Sequence, residues 1–244
     1  MKRSAILSVA ALVLLAVAAG CGGGGKKNTT TAPAAAGGKG GTFRILANTA
    51  PSGSPDSQVN YTLQEWQLLI FTHDGLVAFR RVGGAAGTKI VPDLAESIPQ
   101  PTNGGKTWTF KIRSGIKFSN GQTLTATDVK ATFERLFKIG NSPNAGTWYN
   151  VIQGGDACVK TPKTCDLSKG IKVSGNTVTF NLTTADPEFL DKLAVPFAFI
   201  LPASTSTKNV NIPPAGTGPY KWAQYAANKQ IKPRTVLGES YAHR

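Results

Sequence analysis

The chain has 244 residues, 41% hydrophobic and 16% charged, with 27 Lys and Arg against 13 Asp and Glu for a formal charge of +14. That hydrophobic share is ordinary for a globular protein and supports a sizeable core, so the chain is not disordered as a whole. The lysines are scattered and no arginine-rich or aromatic-interleaved stripe occurs, which argues against a nucleic-acid partner despite the basic balance. At the N-terminus, Lys2-Arg3 is a short basic region and Ile6 to Val17 an apolar run too short for a comfortable membrane span. Together they read as a targeting segment, residues 1–20.

Ala18-Ala19-Gly20-Cys21 resembles a bacterial lipoprotein cleavage site, with small residues admitting the peptidase and the Cys21 thiol taking the lipid. Ala18 stands where that pattern prefers Leu. Cleavage would remove Lys2 and Arg3, so +14 less 2 leaves +12. An exported chain of that charge meets anionic head groups and wall polymers first. Residues 21–41 are rich in Gly, Thr, Ala and Lys, show no apolar periodicity and read as a flexible tether. A Gly-rich coil of this length has an end-to-end distance of roughly 22–27 Å.

Thr42 to Leu46 is the first expected strand of the folded part. Leu63, Trp66 and Ile70 mark a helix, with His73 just after it beside a turn at Asp74-Gly75. A lone histidine there is a helix-end or packing residue rather than a base. Trp108, Phe110 and Ile112 alternate with Thr107, Thr109, Lys111 and Arg113, the period of a half-buried strand. Ser119-Asn120-Gly121 supplies a tight turn. Thr125 followed by Asp128 has capping spacing, and Val129, Phe133, Leu136 and Phe137 form one apolar helix face. Asp93 and Glu96 are read as serving a loop and the entry to the strand.

Three cysteines are present. With Cys21 lipidated, Cys158 and Cys165 are the remaining pair, and an exported chain in an oxidising compartment is expected to join them. Their spacing is not that of redox or zinc pairs, and no histidine lies near in sequence. The sequence carries no metalloprotease helix motif, nucleophile elbow or phosphate loop. No enzyme, metal or cofactor is expected.

Four segments in order then carry a resemblance. They are Pro92 to Ser97 with Thr107 to Gly121 and Leu124 to Lys130; the hairpin Gly170 to Leu182; Asp186-Pro187-Glu188-Phe189-Leu190; and Gly216-Thr217-Gly218-Pro219-Tyr220-Lys221-Trp222. From about Gly41 to about Ile231 the chain resembles family 5 of the bacterial extracellular solute-binding proteins, the peptide and nickel receptors of ABC importers. The resemblance implies an α/β (mixed α+β) fold: a type II periplasmic-binding-protein-like lobe with an inserted subdomain, here incomplete. Residues 42–82 and 210–244 would form the partial first lobe and 83–209 the insert. It further implies a peptide or other small solute as ligand, an ABC permease and its ATPase as partners, and a lipid anchor on the outer face of the cytoplasmic membrane.

By position, Asn60 and Tyr61 lie in the family's cleft-lining segment, and Trp148 and Tyr149 in a loop that lines the cleft or packs in the core. A helix-entry cap and a surface ring are the plainer roles for Asn60 and Tyr61. Gly216, Thr217 and Gly218 are expected to build the crossover backbone, and Trp108 and Trp222 to be core strand residues. After Lys232 the text departs from the family's continuation. Pro233 is a poor strand residue, and a frameshift, an assembly break or a truncated gene is expected. With part of one lobe only, tight solute binding by these residues alone is not expected.

Overall fold

The structure, a computed structural model, describes residues 53–139, 143–208, 210–226 and 230–235, all within one unit spanning residues 46–244. The targeting segment, Cys21, the tether, the strand expected at Thr42 and His243 lie outside the described residues.

The first described helix, α1 (Leu63–Thr72), buries Glu65, Leu69 and Thr72, while Leu63 and Ile70 are exposed. Its inward side therefore recurs at i, i+4 and i+7, offset from the apolar positions that marked the helix in sequence. Strand β1 (Val77–Phe79) pairs antiparallel with β2 (Ile90–Pro92). This hairpin spans the boundary expected at Gly83, and Leu76 and Val77 share one apolar cluster with Phe110, Phe133 and Phe180.

Strand β3 (Thr107–Lys111) forms as its alternation dictates: Trp108 and Phe110 are buried, Thr109 and Lys111 exposed. The hairpin β4 (Ile171–Ser174) and β5 (Thr177–Asn181) completes a three-stranded antiparallel sheet in the order β3-β5-β4. Trp108 faces Phe180 and Phe110 faces Val178 across the register. The tight turn after β3 closes as expected. Gly121 has φ 89, and the Gln122 N–H donates to Asn120 Oδ1 at 3.0 Å.

Helix α2 (Ala126–Lys138) starts where the capping spacing placed it, the Thr125 N–H donating to Asp128 Oδ2 at 2.8 Å. Val129, Phe133, Leu136 and Phe137 are all buried against the sheet. Phe133 meets Phe180 edge-on at 5.2 Å and Tyr149 at 5.3 Å. Helices α3 (Pro143–Tyr149), α4 (Gly155–Lys160) and α5 (Phe189–Ala194) flank this layer. Cys158 on α4 is bonded to Cys165, as expected, and both are buried in the core. Closing so short a loop stabilises by about 2.5 kcal/mol in the chain-entropy account.

Three expectations need correction. Trp148 and Tyr149 are not in a loop; they end α3. Asn144, Gly146 and Thr147 are weak helix formers, and packing of Tyr149 on Phe133 overrides them. Pro233 does not stop its strand. β6 (Tyr220–Ala226) pairs with β7 (Gln230–Thr235), and Pro233 sits opposite Trp222 where the register shifts between Trp222 and Gln224. A residue without an N–H is tolerated at such an irregularity. Trp222 is half-buried rather than core, its ring edge-on to Tyr225 at 5.6 Å. Trp108 is core, as read.

Candidate functional site

Residues 54–60, just before α1, are held by a buried ion pair. Arg135 of α2 reaches Asp56, which is fully buried, with Nη1 to Oδ1 at 3.2 Å and Nη2 on Oδ2. The same guanidinium donates to Gln58 Oε1 and, through Nε, to the Ser206 carbonyl at 3.0 Å. Gln58 Nε2 donates to the Thr132 carbonyl at 2.8 Å. Thr132 Oγ1 accepts the Leu201 N–H at 3.0 Å and Asp128 Oδ1 the Ala203 N–H at 2.8 Å. One face of α2 thus clamps two segments far apart in sequence, 54–60 and 201–206. A charge pair this deep is held because each partner satisfies the other and its neighbours.

The clamp sets the entry to α1. Asn60 is buried; its Oδ1 accepts the Thr62 N–H at 2.9 Å and its Nδ2 donates to the Ser54 carbonyl at 3.0 Å. Its side chain holds the turn that leads into α1, whose own N-cap, Thr62, makes no side-chain cap bond. Tyr61 is 70% exposed, a surface ring beside exposed Leu63. The Trp66 indole N–H donates to the Asn60 carbonyl at 3.0 Å. Trp66 and half-buried Trp148 both stand edge-on to Phe197, at 5.4 and 5.7 Å. Tyr149 is fully buried and its hydroxyl donates to the Lys192 carbonyl at 2.6 Å. Phe197 thus links the start of α1 to the end of α3. Of the four expected residues, Tyr61 and Trp148 keep side-chain surface, while Asn60 and Tyr149 are spent on the fold. Trp66 and Phe197 had no site signal in the sequence beyond being aromatic.

At the other end of α1, Gly216, Thr217 and Gly218 cross close to the backbone. A Cβ on Gly216 would lie 2.0 Å from the Thr72 carbonyl oxygen, and one on Gly218 2.6 Å from that of Phe71. Thr217 Oγ1 donates to Asp74 Oδ2 at 2.9 Å, and Arg81 pairs with the other oxygen at 3.2 Å. His73 is buried and stacked on Phe199, and burial pushes its imidazole down to about 4, so it is neutral at neutral pH. Its Nδ1 meets Thr72 Oγ1 at 2.8 Å, but both residues are buried and neither can meet a substrate. Glu96 pairs with Lys111 at 3.0 Å and the Asp93 carbonyl accepts from Arg113 Nε at 2.9 Å, which places both at the strand entry. Among the described residues no cluster of His, Cys, Asp or Glu has the makings of a metal site.

Arg135, Trp148, Phe197 and the glycine crossover fall within a family match that begins after α1. Residues 89–234 match the bacterial extracellular solute-binding proteins, family 5 Middle. The chain belongs to this family. The match ends at residue 234, one residue past Pro233. A relative, the Dipeptide-binding protein of Escherichia coli (strain K12), is 31% identical over 164 residues, covering 62% of this chain and 30% of its own. Heme-binding protein A of Haemophilus influenzae (strain ATCC 51907 / DSM 11121 / KW20 / Rd) is 29% identical over 69% of this chain and 31% of its own. Among solved structures, Clavulanic acid biosynthesis oligopeptide binding protein 2 superposes with a TM-score of 0.66 at 24% identity, over 76% of this chain and 34% of that one. The fold is that of a type II periplasmic binding protein, in part. Family 5 is a family of binding proteins and not of enzymes. The chain spans about a third of the length of the relatives it matches.

Proposed function

We propose that this family 5 chain belongs to the receptor of an ABC importer, capturing peptides or similar small solutes outside the cell membrane for a permease driven by an ATPase. The observation that carries the reading is the family match over 89–234, joined by relatives whose names are those of peptide-binding proteins. In this reading residues 42–82 and 210–244 belong to the first lobe and 83–209 to the insert, and the receptor works by closing two lobes on the solute.

Tyr61 and Trp148 are the residues offered to the solute, with Asn60 and Tyr149 holding the backbone and the helix that present them. Cells carrying Tyr61→Ala or Trp148→Ala are expected to need roughly tenfold more labelled peptide for half-maximal uptake, the cost of truncating one well-placed aromatic contact. An unchanged concentration dependence for both would remove these residues from the site. The protein is further proposed to be lipid-anchored at Cys21 on the outer face of the cytoplasmic membrane. A fatty-acid analogue should label the protein and fail to label Cys21→Ser; equal labelling of both would refute the anchor.

A further inference from the structure

The chain has two Asn-Gly pairs, Asn103-Gly104 and Asn120-Gly121, and both lie in exposed turns. Asparagine is chemically labile, most of all before glycine. The next backbone nitrogen attacks its side-chain carbonyl carbon, and glycine has no side chain to hinder the approach.

The two turns hold their pairs differently. At the second, the Gly121 N–H donates to the Phe118 carbonyl at 2.8 Å. Asn120 Oδ1 accepts the Gln122 N–H at 3.0 Å, and Asn120 Nδ2 donates to Gln122 Oε1 at 2.7 Å. The attacking nitrogen and both ends of the amide are therefore occupied. At the first, the bonds of the turn run past the pair: the Gly105 and Lys106 N–H groups each donate to the Thr102 carbonyl at 3.1 Å. Among the described residues, nothing accepts from the Gly104 N–H and nothing hydrogen-bonds the Asn103 side-chain amide. Asn103 and Gly104 have φ 52 and 61, and a Cβ on Gly104 would meet nothing within 4 Å. The turn is docked beyond the pair, where the Lys106 carbonyl accepts the Leu182 N–H at 2.7 Å.

We propose that Asn103 is a site of spontaneous deamidation in the folded protein, reacting ahead of Asn120. The Gly104 nitrogen bonds to Asn103 Cγ, the bond from Cγ to Nδ2 breaks, and the amide leaves as ammonia with the proton from Gly104. Water then opens the cyclic imide at either carbonyl. Opening at Cγ gives aspartate; opening at the backbone carbonyl gives isoaspartate, with the chain rerouted through the side chain. Water is consumed, ammonia is released, and nothing is oxidised or reduced. Each event adds a negative charge to a basic chain. The isoaspartate form also adds a backbone carbon between Thr102 and Thr107, whose paired bonds of 2.8 and 3.1 Å precede Trp108 of β3. That pairing must loosen to admit it. The proposal does not rest on the transport reading.

Timed incubation of the disulfide-intact protein at mildly alkaline pH, followed by tryptic peptide mapping, tests this. The two sites fall in separate peptides, 90–106 and 118–130, and the mass gain from amide to acid is read in each. In the folded chain the first should convert on the order of tenfold faster, because Asn120-Gly121 must first give up its hydrogen bonds. In urea the two rates should draw level, since the local chemistry is the same. Equal rates in the folded chain, faster conversion at Asn120, or a rate difference that persists in urea would overturn the proposal.

Discussion

Arg135→Met is expected to destabilise the fold by about 3–5 kcal/mol, because it leaves the Asp56 carboxylate buried without a cation. Asp56 is fully buried and Arg135 only 5% exposed, so water cannot take over the lost contacts without opening the structure. The guanidinium also leaves Gln58 and the Ser206 carbonyl short of a donor. Loss should therefore spread to the loop that carries Tyr61. Urea denaturation of the disulfide-intact protein reads the effect directly. The double variant Asp56→Leu with Arg135→Met should recover much of the loss, since an apolar pair of similar volume removes both charges together. A single variant within about 1 kcal/mol of the parent would mean that the pair is not buried in solution.

Gly216→Val is the second large effect. Its Cβ would lie 2.0 Å from the Thr72 carbonyl oxygen and 2.6 Å from His73 Cδ2, against backbone and a stacked ring rather than a flexible side-chain end. The crossover must move off the end of α1, at a cost of roughly 3 kcal/mol or more. That motion would also break the bond from Thr217 to Asp74. Gly83→Ala is the matched control, because a Cβ there meets nothing within 4 Å. The control should sit within about 0.5 kcal/mol of the parent. Equal thermal midpoints for Gly216→Val and Gly83→Ala would contradict the close approach.

The parts of this fold that sequence made visible are those set by neighbours in the chain. Alternation fixed which side of Thr107–Lys111 is buried, and the Thr125 and Asp128 spacing fixed where α2 begins. The Asp56 and Arg135 pair left no such mark, because its partners are 79 residues apart and neither position differs from a solvated charge until the fold joins them. Helix α3 was hidden for the opposite reason: its local preferences point away from a helix, and Tyr149 is drawn in by Phe133 and the Lys192 carbonyl. Pro233 misled because a strand rule was applied without its exception, the pairing irregularity opposite Trp222. Asn60 and Tyr61, expected side by side in one segment, take different roles in the structure. Their division of labour, one holding the chain and one facing solvent, depends on Ser54 and Thr62 taking up the amide.

The central claim is that this chain serves solute capture for an importer, and uptake in the source cells tests it most directly. Disrupting its coding sequence should abolish or strongly reduce entry of labelled small peptides, and restoring the intact coding sequence should bring entry back. Unchanged entry of peptides across a range of lengths, with the permease and ATPase present, would contradict the account.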